Sequence, residues 1–94
     1  MPHRFRNLIG PSIRAWRMNR GITQDELAAR LQLSGLDHLD RVAVAKIESQ
    51  IRSVYDFEVI VLANALKVTV AELMAVGPKE MEKALPDLVR GKRG

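Results

Sequence analysis

Cysteine is absent from these 94 residues, which excludes disulfides, thiolate nucleophiles and cysteine-based zinc sites. A staple-free chain of this length sits near the lower edge of what one hydrophobic core can hold. It is expected to form a single domain, at home in a reducing cytoplasm. Histidine is nearly absent too. His3 and His38 stand far apart in the chain, and each reads as a surface residue rather than a metal ligand. No glycine loop is built to cradle phosphate, and no serine lies beside a plausible base. The acids fall mostly in the first turns of expected helices, where they cap. An enzyme, a bound metal and a cofactor are therefore not expected. No run approaches the ~18 apolar residues of a membrane span, and the opening MPHRFRNLIG lacks the apolar stretch of a signal peptide. The expectation is a soluble cytoplasmic protein with no membrane partner. There is no internal repeat and no strand-like alternation of useful length, so the fold class is all-α.

Acidic residues are also missing from one region. Residues 1–22 carry Arg4, Arg6, Arg14, Arg17 and Arg20 and no acid, for +5. Residues 23–89 hold seven basic and eleven acidic residues, for −4, and the last five residues add +3, which together give the net +4. A basic end on a small domain is an electrostatic footprint for polyanions. Basic termini that merely solubilise are the plainer alternative.

The chain centres on Thr23–Arg52. Thr23 with Glu26 three residues later is a capping box, and Leu27, Ala28 and Leu31 follow on one helical face. A second helical pattern begins after Asp40, a natural N-cap, with Val44 and Ile47 inward and Ile51 just past its end. Two short amphipathic helices joined by a turn can hold one helix out for recognition. Before them, residues 1–7 read as a flexible basic arm. A first helix spans about 8–19, capped either by Asn7 or by Gly10 with Pro11 at the favoured first position. Ile9, Ile13 and Trp16 form its core stripe, and Gly21 closes it. Ile22 is placed as a hydrophobic staple. The second helix is expected over about 24–31 and the third over about 41–49. The connection 32–39 is either pinned to the core by Leu33, Leu36 and Leu39 or forms an extra helical turn. A fourth helix spans about 56–66, with Val59, Leu62, Ala63 and Leu66 inward and Asp56 and Glu58 in the first turn, where the helix dipole favours negative charge. Thr69 and Glu72 make a second capping box that starts a fifth helix with Leu73 inward, and Gly77-Pro78 ends it. Residues 77–94 read as an extension with a short helix interrupted at Pro86, then a basic tail.

At 100° per residue, Ala43, Val44 and Ile47 share one side of the third helix. Arg41, Val42, Ala45, Lys46 and Ser49 fan over the other. Small apolar residues between two cations suit a surface that meets thymine methyls; helix propensity, or a contact with the long 32–39 connection, is the alternative reason for them.

IRAWRMNRGITQDELAARL, then VAKIES, then FEVIVLANALKVTVAEL resembles the Cro/CI-type (Xre-like) helix-turn-helix family over roughly residues 8–75. The resemblance implies a compact five-helix domain of the lambda-repressor-like type over 8–76. It also implies a sequence-specific transcriptional regulator, a repressor, that puts the helix at 41–49 into the major groove of double-stranded DNA. Gln24 matches the glutamine that fixes the DNA backbone in the family, and its N–H lies at a positive helix end. Arg41, Val42 and Lys46 occupy base-reading positions; for Arg41 the alternative is pairing with Asp37 or Asp40. Arg14, Ser49 and Arg52 are candidates for backbone contacts, which add affinity without sequence information. Arg17 and Glu48 match a pair that commonly forms a structural salt bridge. The connection at 32–39 departs from the family's turn of about three or four residues. Gln32, Gln50 and Lys67 stand where helix-ending glycines are common.

A homodimer is expected, with Met74, Val76, Met81, Leu85 and Leu88 as its apolar surface. The same residues could instead fold back on their own core. The second functional reading is an antitoxin-like interaction module, bound to a toxin or co-regulator.

Overall fold

The computed structural model describes residues 5–93, and side chains through residue 90. Arg4 and the rest of residues 1–4 lie outside the described residues. Every regular element among the described residues is helical: α1 Gly10–Asn19, α2 Gln24–Leu33, α3 Arg41–Glu48, α4 Asp56–Leu66, α5 Val70–Leu73 and α6 Pro78–Arg93.

Local chemistry sets most helix starts. Thr23 Oγ1 accepts from the Glu26 N–H at 3.1 Å while Glu26 Oε1 accepts from the Thr23 N–H at 3.0 Å. Thr69 and Glu72 repeat this reciprocal pair at α5. Asp40 Oδ1 accepts from the Ala43 N–H at 2.8 Å and starts α3. Each arrangement satisfies donors that the first helical turn would leave bare. At α1 neither expected residue is the N-cap: the helix begins at Gly10 with Ile9 as its N-cap and Pro11 in the first turn, although Asn7 Oδ1 does accept from the Gly10 N–H at 2.9 Å.

Ile13, Leu27, Leu31, Leu39, Val44, Ile47, Leu62, Leu66 and Leu73 are fully buried together. Burying each such side chain stabilises the fold by about 1.5–3 kcal/mol relative to exposure. Trp16 and Val59 pack against the edge of this cluster. Ile51 lies past the end of α3 and is exposed.

Helix α5 is a single turn that ends at Leu73, short of the expected stop at Gly77-Pro78, and Pro78 instead opens α6. Three further expectations change. First, α2 runs on to Leu33, and Gly35 takes the left-handed conformation (φ 101°). Gln32 is therefore an ordinary helical residue. The extra residues turn Leu33 to the side opposite Leu31, leaving it 90% exposed, so only Leu36 and Leu39 anchor the connection in the core. Second, residues 5–7 are not a free arm. The Arg6 N–H donates to the Gln50 carbonyl at 2.7 Å, and Asn7 is buried. Third, the extension is one helix that continues past Pro86. Proline removes one N–H from the ladder, but α6 is held on both sides of it. Ala84 is buried before it, and after it Asp87 accepts from the Phe5 N–H at 3.1 Å.

Gln50 and Lys67 do adopt the left-handed region, at φ 65° and 58°. For Gln50 the side chain compensates, since its Nε2 donates to the Asn7 carbonyl at 3.1 Å. At Lys67 the compensation comes from elsewhere. Arg20, stacked over Trp16, donates to the Leu66 and Lys67 carbonyls at 2.9 and 3.0 Å, and Arg30 donates to the Ala65 carbonyl at 2.9 Å. Two guanidinium groups thus cover the negative end of α4. Lys67→Gly leaves those bonds in place, because they reach main-chain oxygens. It is expected to raise stability by about 1 kcal/mol, read as a melting temperature about 4–8 °C higher.

Candidate nucleic-acid interface

α3 rests on α1 and α2. Its sequence splits by helical period into two faces. Ala43, Val44 and Ile47 are buried with Glu48, while Arg41, Val42 and Lys46 face solvent and Ala45 is half-buried between them. Ser49 follows as an exposed C-cap. Arg41 is 56% exposed, and its Nε lies 3.7 Å from Asp25 Oδ1 on α2. Asp25, rather than Asp37 or Asp40, is therefore its neighbour. A pair this long and this exposed contributes about 0–1 kcal/mol, so an incoming phosphate or base edge can displace it at little cost. Lys46 on α3 and Arg14 on α1 are exposed and make no ion pair among the described residues.

Behind this face, a polar network ties α3 to its neighbours. Arg17 Nε donates to Glu48 Oε2 at 2.7 Å and its NH2 to Oε1 at 3.1 Å, a bidentate pair. Its NH1 donates to the Ile22 carbonyl at 2.9 Å. The carboxylate raises the Arg17 pKa by hydrogen bonding and charge, outweighing the opposing effect of burial. Gln24 Nε2 also donates to Glu48 Oε1, at 3.1 Å. The Gln24 side chain thus braces α2 against α3, while its backbone N–H lies at the start of α2, beside the Thr23–Glu26 capping box.

The end of α3 is stitched to the N-terminal segment. Asn7 Nδ2 donates to the Ile47 carbonyl at 3.0 Å and to the Arg52 carbonyl at 2.7 Å. α1 starts so close that a Cβ on Gly10 would collide with the Ile47 carbonyl oxygen. Only glycine lets the two backbones meet there.

Arg52 is turned inward, toward a carboxylate that the sequence assigned only to helix-dipole compensation. Glu58 is 0% exposed. It receives Arg52 NH1 and NH2 at 3.2 and 3.3 Å, the Tyr55 N–H at 2.9 Å and His38 Nε2 at 2.7 Å. Burial pushes its pKa up, but the bonds from Arg52, Tyr55 and His38 outweigh that and hold it below the usual carboxylate range. His38 is half exposed, as a surface histidine should be, yet it fastens the 34–40 connection to α4. The signal that could have pointed to Glu58 was an acid at the third position of a helix whose N-cap, Tyr55, lacks the usual short oxygen-bearing side chain. No group of three or more His, Asp or Glu residues that could hold a metal occurs among the described residues, and no helix is long and apolar enough to cross a membrane.

A short helix, an anchored connection and a second helix with one exposed cationic face define a helix-turn-helix domain. The Helix-turn-helix family model matches residues 13–73, and the chain belongs to that family, of the Xre/Cro-CI-like type. Among solved structures it is similar to one titled hypothetical transcription factor NHTF from Neisseria, with 28% identity and a TM-score of 0.64 over 84% of this chain and 83% of that one. A search of curated proteins returned no match.

Proposed function

We propose that this protein is a sequence-specific DNA-binding transcriptional regulator, acting as a repressor, whose α3 enters the major groove. The observation that carries this reading is the division of α3, with its apolar side sunk in the core and Arg41, Val42 and Lys46 displayed together. Membership of the helix-turn-helix family and the likeness to a structure titled as a transcription factor support it. In this reading Arg41 reads a guanine edge, Val42 and Ala45 meet thymine methyls, and Lys46 adds a second cation in the groove. Arg14, Ser49 and the N-terminal N–H groups of α2 hold phosphates. Arg52 is left to Glu58.

The repressor would act as a homodimer. Met81, Leu85 and Val89 follow one another at helical spacing on α6 and are exposed, with Met74 on the adjoining turn, while Leu88 is half-buried against its own chain. The apolar face of α6 is thus only partly covered, and a second copy is the occupant this reading gives it. Two-fold symmetry would set half-sites one helical turn apart, about 34 Å.

Selection of bound sites from a random duplex pool, followed by titration across a salt series, tests the proposal. A palindromic motif and an affinity falling steeply with salt are expected. Arg41→Ala should relax selectivity at one base pair by about 1–3 kcal/mol. No binding at low salt would sink the reading and favour a protein partner for the same surface.

A further inference from the structure

Several arginines already have protein partners, while Arg14 on α1 makes no ion pair among the described residues. Arg17 holds Glu48, Arg20 covers the end of α4, and Arg52 holds Glu58. Arg6 is different. Its side chain is exposed and makes no ion pair among the described residues, while its main chain is fixed by the 2.7 Å bond from its N–H to the Gln50 carbonyl. Gln50 comes directly after the C-cap of α3. The next residue, Asn7, is tied to the last turn of α3 through the Ile47 carbonyl and to the following segment through the Arg52 carbonyl. On the other side, the Phe5 N–H is bound to Asp87 of α6. The strap therefore presents one unneutralised guanidinium beside the end of α3, and its position is set by main-chain bonds. Arg6 lies outside the span that the helix-turn-helix family model matches.

We propose that Arg6 is a further DNA contact, which binds a backbone phosphate bordering the groove that α3 enters. This rests on the reading of α3 as the DNA-entering helix. Arginine suits phosphate through its paired N–H donors. Because the main chain is already ordered, contact costs only the freedom of the side chain. Arg6 comes from a strap rather than from the groove-filling helix. It fixes register and affinity and carries no base preference.

The test compares the full chain with Arg6→Ala and Arg6→Lys on the site selected above. In the alanine variant the slope of log affinity against log salt should shrink by about 0.9, the value of one phosphate contact on duplex DNA. Affinity at low salt should fall about five- to tenfold, with base preference unaltered. The lysine variant should keep the slope. The bond from residue 6 to Gln50 uses the main chain, so the melting temperature should stay where it is. An unchanged slope in Arg6→Ala, with wild-type binding intact, overturns this contact and leaves the DNA-binding reading standing. Failure of the wild-type chain to bind any duplex overturns both.

Discussion

Glu48→Ala is expected to lower the melting temperature by roughly 12–24 °C. The Arg17 and Glu48 side chains are 13% and 4% exposed and joined by two short hydrogen bonds. Removing one member of such a pair leaves the other charge buried without its counterion, at a cost of about 3–5 kcal/mol. Arg17 keeps its bond to the Ile22 carbonyl, so the lower end, about 3 kcal/mol, applies. In a domain of this size each kcal/mol moves the midpoint by about 4–8 °C. Gln24 loses its acceptor as well, which loosens α2 against α3. DNA binding should weaken only as far as the folded fraction and the set of α3 allow. Thermal melting read beside binding at a temperature where the variant is folded separates the two effects. Lost binding at an unchanged midpoint would make Glu48 a DNA-site residue instead of a structural one.

The second large effect is expected at Glu58. Glu58→Ala leaves Arg52, His38 and the Tyr55 N–H without their shared acceptor, a loss of about 3 kcal/mol. The same carboxylate makes stability depend on pH. Its pKa is lowered on folding, so its contribution is complete above the unfolded value of about 4.3. It is lost as pH falls through the folded value, because the unfolded state then binds the proton more readily. Melting temperature should decline as pH falls below about 4.3, and Glu58→Gln should flatten part of that decline. Glu26 and Glu72, lowered mainly by the N–H groups of Thr23 and Thr69, titrate in the same direction and leave a residual slope. An acid limb identical in wild type and Glu58→Gln would refute the assignment.

The residues of α3 show what a sequence can reveal. Helical period alone separated Val44 and Ile47 from Arg41 and Lys46, because a short amphipathic helix on a core has only one way to face. The capping boxes at Thr23 and Thr69 were legible for a similar reason. Their donors and acceptors lie three residues apart, so no distant contact is needed. The C-terminal helix was harder. Pro86 argued for a break, and the contacts that hold the helix on either side of it come from Phe5 and the body of the fold, far away in the chain.

The partners of the charged residues were less accessible. Arg52 and Arg14 look alike in a sequence, yet one is bound to a buried carboxylate and the other is exposed. Asn7, His38 and Gln50 gave no signal of their long-range bonds, since those partners lie at least twenty residues away. What the sequence determined by itself was everything set by short-range periodicity: the helices, their caps, the buried stripe and the family. What only the tertiary structure decided was which cations remain available to a polyanion. Charge neutralisation depends on separations of a few ångströms between segments, and local patterns along a chain carry no information about those.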